Sequence, residues 1–173
     1  ASATVDFSAT TGTYALTVST LAASAKRVTN PFSSVSTFSP GTLSFNVGGA
    51  SKQVVLNDQT SYTLQEVRSK INDANIGVTA TVVSGTAGDR LVITANTTGL
   101  TAGNFSLVSV TDSGGTGSLA LSALNSFDTG LERNSADAEI EIDGIPVSST
   151  SNAITSAVSG LTINLASTGT TTI

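Results

Sequence analysis

The sequence predicts an α+β fold dominated by strands: two small mixed domains of antiparallel strands with one short helix each, the second inserted in the first. Three observations lead there. Apolar and polar residues alternate with period two along much of the chain, the mark of strands with one buried face. One segment switches to helical spacing and a shorter one echoes it. Residues 41–95 read as hairpin, helix, glycine and two strands, and residues 137–165 run strand, turn, strand, short helix, glycine, strand. Two such units call for boundaries at residues 30–40, which carry Pro31 and Pro40, and near residues 129–134. The first domain then takes residues 1–37 and 133–173, and the inserted domain takes 38–132.

Each element has its own signal. Tyr14, Leu16 and Val18 alternate with Ala15, Thr17 and Ser19 as a half-buried strand. Leu43, Phe45 and Val47 repeat the pattern, and Gly48-Gly49 supplies the positive φ of a tight hairpin before a return strand at 52–56. Strands at 78–83 and 90–95 pair around Gly85 and Gly88-Asp89, and further strands fall at 105–110, 138–142, 147–149 and 161–165. Between them, Thr63 and Glu66 have the spacing of a capping box. Leu64, Val67, Ile71 and Ala74 form one apolar stripe, Glu66 and Lys70 an i,i+4 pair, and Gly77 the left-handed stop. The second helix is expected at 152–158, capped by Asn152 and burying Ile154, Ala157 and Val158. Residues 97–125, rich in glycine and nearly uncharged, read as irregular strands joined by mobile loops.

Composition narrows the function. Leu, Ile, Val and Phe make up about a quarter of the 173 residues, above the roughly 20% below which chains struggle to bury a core. There is no Cys, His, Met or Trp, so Ser–His and Cys–His nucleophile systems and nearly all zinc, copper and haem sites are excluded. Neither an enzyme nor a cofactor is expected. Seven basic against twelve acidic residues give a net charge of −5, too little positive charge to neutralise a run of phosphates, so no nucleic-acid partner is expected. No run of 18 apolar residues exists to span a membrane. Abundant Ser and Thr with no cysteine suit a secreted protein, and the missing initiator Met marks an excised piece of a longer chain.

The best-ordered polar constellation is Asp137, Glu139, Glu141 and Asp143, whose spacing of two places four carboxylates on one strand face opposite Ala138, Ile140 and Ile142. Three readings stay open. The row is a solvated face whose charges discourage edge pairing, a contact with another subunit or partner, or a calcium site, which needs oxygens converging from loops. A glycosidase pair is disfavoured by the absence of Trp and the presence of only two Tyr. The glycine clusters at 48–49 and 114–117 lack a phosphate-loop context and are turns, and Lys26-Arg27 reads as a loop charge.

The run Tyr14-Ala15-Leu16-Thr17-Val18-Ser19-Thr20-Leu21-Ala22 resembles the Y-x-(I/L)-x-V-x-x-L-A opening of the bacterial flagellar filament-capping family (FliD, hook-associated protein type 2). Gly41-Thr42-Leu43-Ser44-Phe45, Thr63-Leu64, Ile71-Asn72 and Gly77-Val78-Thr79-Ala80 resemble the flagellin "IN" motif, shared by capping proteins and some flagellins. Ala136-Asp137-Ala138, Ile142-Asp143-Gly144, Ser151-Asn152 and Gly160-Leu161-Thr162-Ile163-Asn164-Leu165 resemble the capping family again, with Leu161 where Val is usual. The resemblance covers almost the whole chain. It implies the cap's head, its second and third domains, without the helical legs that flank it in the family. It also implies a ring-shaped homo-oligomer at the distal filament tip, exported through the flagellar channel, that helps flagellin fold and insert. No catalytic residue is implied. Two other expectations stand beside it: an adhesin whose loops at 97–117 recognise host glycan or mucin, and the outer domain of a flagellin.

Overall fold

The computed structural model describes residues 1–7, 9 and 12–173. The first part of the chain forms β1 (Ser2–Val5), β2 (Ala15–Thr20), β3 (Lys26–Val28), β4 (Thr37–Phe38), β5 (Gly41–Val47), β6 (Ala50–Leu56) and β7 (Tyr62–Thr63). After α1 (Leu64–Asp73) come β8 (Val78–Gly85), β9 (Gly88–Ala95) and β10 (Phe105–Asp112), then a turn of 3-10 helix at Leu121–Asn125. The chain ends with β11 (Ala138–Ile142), β12 (Ile145–Ser149), β13 (Ala153–Val158), β14 (Leu161–Asn164) and β15 (Gly169–Thr172). Every paired strand in these sheets is antiparallel.

The buried apolar residues fall into two clusters. One joins Leu16, Val18, Ile140 and Ile142 of the sheet β12-β11-β2-β15 to Ile154, Leu161 and Ile163 of the sheet β1-β14-β13. The other joins the sheets β10-β5-β6 and β3-β9-β8 to α1, through Leu43, Phe45, Leu56, Leu91, Ile93 and Phe105 against Leu64, Val67 and Ile71. Tyr62 and Phe38 from the small β4-β7 pair are also fully buried there. Phe32 meets Phe38 edge-on, ring centroids 5.0 Å apart, the orientation that the aromatic quadrupole favours. Buried Thr29 is satisfied, its hydroxyl accepting from the Leu91 N–H at 3.0 Å.

Local chemistry explains the secure elements. Gly48 (φ 57) and Gly49 (φ 86) form the two-residue loop between Val47 and Ala50, both left-handed as a type I′ hairpin requires. At the start of α1 the Thr63 N–H donates to Glu66 Oε2 at 2.7 Å, and Thr63 Oγ1 accepts from the Glu66 N–H at 3.3 Å. The capping box is complete.

Four local expectations need correction. The second helix is absent: residues 153–158 are strand β13, paired with β14 and bulged between Ile154 and Val158. A helix of seven residues cannot offset its own nucleation, and Ile154, Thr155 and Val158 are β-branched, so the sheet prevails. The left-handed stop of α1 falls on Asn75 (φ 46), and Gly77 (φ 96) instead turns the chain into β8. Ala74 is the exposed cap, and Ile76 fills the buried place expected of it. Lys70 reaches Asp58 at 2.7 Å rather than Glu66, because Glu66 is occupied by the cap. The strand expected at 105–110 is present as β10, paired along β5 with a register shift between Leu107 and Ser109.

Candidate functional site

Strand β11 alternates as expected, Ala138, Ile140 and Ile142 buried, Glu139 and Glu141 exposed. The four carboxylates, however, do not act as one row. Asp137 Oδ1 accepts the Leu100 N–H at 2.6 Å. Asp143 adopts φ 49 beside Gly144 at φ 80 in the β11–β12 turn, and its Oδ1 accepts the Ala15 N–H at 2.8 Å. Both aspartates thus serve backbone groups from distant segments. Glu139 takes a hydrogen bond from the Ser148 hydroxyl at 2.9 Å across the sheet, and Glu141 stands opposite Pro146 and Thr17. Among the described residues no three carboxylates come together as an ion site.

Asp137 belongs to a junction between the two clusters, which pattern reading missed. Residues 23–29 and 127–136 run antiparallel, bridged at Ala23–Ala136, Lys26–Arg133 and Thr29–Phe127. Arg133 donates to the Ser24 carbonyl at 2.9 Å and to its hydroxyl at 3.0 Å. Arg27 donates to the Arg133 carbonyl at 3.0 Å and lies over the Phe105 ring at 5.9 Å. Arg90 grips the Thr29 carbonyl and Asp128, both at 2.9 Å. The loop after β9 closes the joint: the Thr98 hydroxyl donates to the Thr150 carbonyl at 2.7 Å, and the Ser135 hydroxyl donates to the Leu100 carbonyl at 2.8 Å. Part of the 97–117 stretch nominated for ligand recognition is therefore committed to this internal contact. Of the basic pair, Arg27 is likewise a brace and not a free loop charge, while Lys26 takes part through its backbone in β3.

A second polar cluster sits under α1. The Tyr62 hydroxyl donates to Asp58 Oδ1 at 2.7 Å and accepts the N–H groups of Asp58 and Gln59 at 2.9 and 3.0 Å. The Lys70 ammonium, with Tyr62, holds the Asp58 carboxyl down at about 2, while burial and then Asp58 push the Tyr62 phenol up. The amide and hydroxyl of Thr63 likewise lower Glu66. These shifts stabilise a loop and a helix start; no bond-making geometry accompanies them. A cavity of about 220 Å³ opens near Tyr14 and Ile173, walled by Ala3, Val5, Val158 and Leu161.

No protein-family model matches the chain. The B-type flagellar hook-associated protein 2 of Pseudomonas aeruginosa is 32% identical over 176 residues, covering 91% of this chain and 36% of that protein. The crystal structure of FliD (HAP2) from Pseudomonas aeruginosa PAO1 superposes with a TM-score of 0.83 at 26% identity, covering 99% of this chain and 82% of that one. In sequence and in fold the chain is similar to flagellar cap proteins. The D1-D2-D3 structure of the Escherichia coli flagellar cap protein FliD also matches, with a TM-score of 0.76 at 26% identity over 99% of this chain and 53% of that one. The chain spans little more than a third of the curated relatives it matches, 36% and 38% of their lengths. The strand-dominated, antiparallel fold expected from the sequence is that of these cap proteins.

Proposed function

We propose that this segment is the head of a flagellar cap, a structural part at the distal tip of the extracellular filament that helps arriving flagellin fold and insert. One observation carries the reading: likeness in sequence and in fold runs along nearly the whole chain, 91% by sequence and 99% by structure. Its partners in this reading are further copies of the full-length protein, in a ring, and flagellin. The work is mechanical and needs no cofactor or catalytic group.

The inserted unit supplies the second core. Ala25 and Leu124 both belong to its apolar cluster, and β3 pairs with β9, which supports moving the first boundary from residue 38 back to about residue 25. Of the four carboxylates on and flanking β11, Glu139 and Glu141 are the pair we assign to subunit or flagellin contact, since Asp137 and Asp143 serve backbone groups within the chain.

The test is a chimera in which this segment replaces the matching one in the Pseudomonas aeruginosa relative, expressed in cells lacking their own cap. Filament elongation and motility are the expected outcome. Continued leakage of flagellin by a chimera that is exported and folded would refute the reading.

A further inference from the structure

We propose that Asn72 closes the open edge of β8 against pairing with a second copy of this chain. Among the described residues strand β8 has one neighbour, β9, in its three-stranded sheet, so its other side is an edge. The edge is hazardous by composition: its eight residues include no charge and no proline, and Val83 is 50% exposed. Such strands invite edge-to-edge addition unless something blocks them.

In an antiparallel ladder, alternate residues turn their N–H and C=O toward the partner and the rest turn them away. The Gly77 carbonyl, one place before β8, accepts from Asn96, which follows β9. Residues 78, 80, 82 and 84 therefore point to the open side. Asn72, in the last turn of α1, meets that side at Ala80. Its Oδ1 accepts the Ala80 N–H at 2.7 Å, and its Nδ2 donates to the Ala80 carbonyl at 2.9 Å. The carboxamide thus makes the two bonds that one residue of a neighbouring strand would make. Fully buried Ile71 anchors the helix just before it, so the two residues of the Ile-Asn pair have different tasks.

The same device appears in the other cluster. Asn152 Oδ1 accepts the Ala22 N–H at 2.8 Å, and its Nδ2 donates to the Ala22 carbonyl at 2.9 Å, just past the end of β2. Only a carboxamide both donates and accepts in this fork; a carboxylate lacks the donor and leucine lacks both. The inference stands on this geometry and is independent of the cap reading.

The test uses the 173-residue chain. Hydrogen exchange of the wild type is expected to show the Ala80 amide about tenfold slower than those of Val82 and Ser84 on the same edge. Asn72→Leu is expected to lose that difference and to self-associate, read as a mass by light scattering that rises with concentration. Adding Thr81→Lys, which places a charge beside the edge, is expected to restore the monomer. Where Asn72→Leu does not fold, Asn72→Asp takes its place, keeping the acceptor and losing the donor. Wild-type Ala80 exchanging as fast as Val82 would overturn the proposal. So would a folded Asn72 variant whose mass matches wild type at every concentration.

Discussion

Ile71 is fully buried in the larger cluster, beside Val67 on the stripe of α1. Replacing it with Asp removes that packing and leaves a charge without solvent or partner, a cost of about 3–5 kcal/mol. The expected outcome is loss of amide protection in β5 and β8 while β2 and β11 keep theirs; a melt matching wild type would refute it. Asp58 contributes to the acid response of the same cluster. Its carboxyl titrates at about 2 in the folded chain against an ordinary 3.8, so its stabilising effect is complete above the ordinary value and lost as pH falls through about 2. The thermal midpoint should therefore drop between pH 4 and pH 2, and Asp58→Asn should flatten that drop. Asp58 did not stand out in the sequence, and Asn72 did so only through the Ile-Asn resemblance, with no sign of its contact. Their partners Tyr62 and Ala80 lie close along the chain, but period and spacing do not show where a side chain's polar atoms point.

At the level of elements, the hairpin and the first helix were legible because their signals are local. Gly48 sits at φ 57, so Gly48→Val should cost about 1–2 kcal/mol in left-handed strain, measured by denaturant unfolding. Thr63→Ala removes one half of the capping box and should cost about 1 kcal/mol in the same measurement. Residues 152–158 show the opposite case. Their spacing is compatible with a helix, yet Asn152 spends its side chain on Ala22 and its carbonyl on the Leu165 N–H, contacts made across the fold. A short segment takes whichever structure its neighbours offer, and here the neighbour is β14. The carboxylate row of β11 divides for a similar reason: period two places the side chains on one face correctly but carries no information on which of them meet incoming backbone.

At the scale of the whole molecule, two apolar clusters are joined by a paired connector and a loop that returns to Asp137. Asp137→Ala leaves the Leu100 N–H without its acceptor and should cost about 1 kcal/mol in thermal unfolding. Small-angle scattering should show a broadened envelope as the joint loosens; an unchanged melt and envelope would show that the arginines suffice. The sequence by itself determined the strand-rich antiparallel class, the first helix with its cap, the hairpin turn and the exclusion of His- and Cys-based chemistry. All of these follow from residue type and short-range period. Only the tertiary structure decided the helix-to-strand exchange at 153–158, the internal use of Asp137 and Asp143, and the bracing roles of Arg27, Arg90 and Arg133. The aspartate and arginine contacts depend on groups that arrive from more than thirty residues away, and β13 depends on pairing with β14; a helical or period-two pattern holds no record of either.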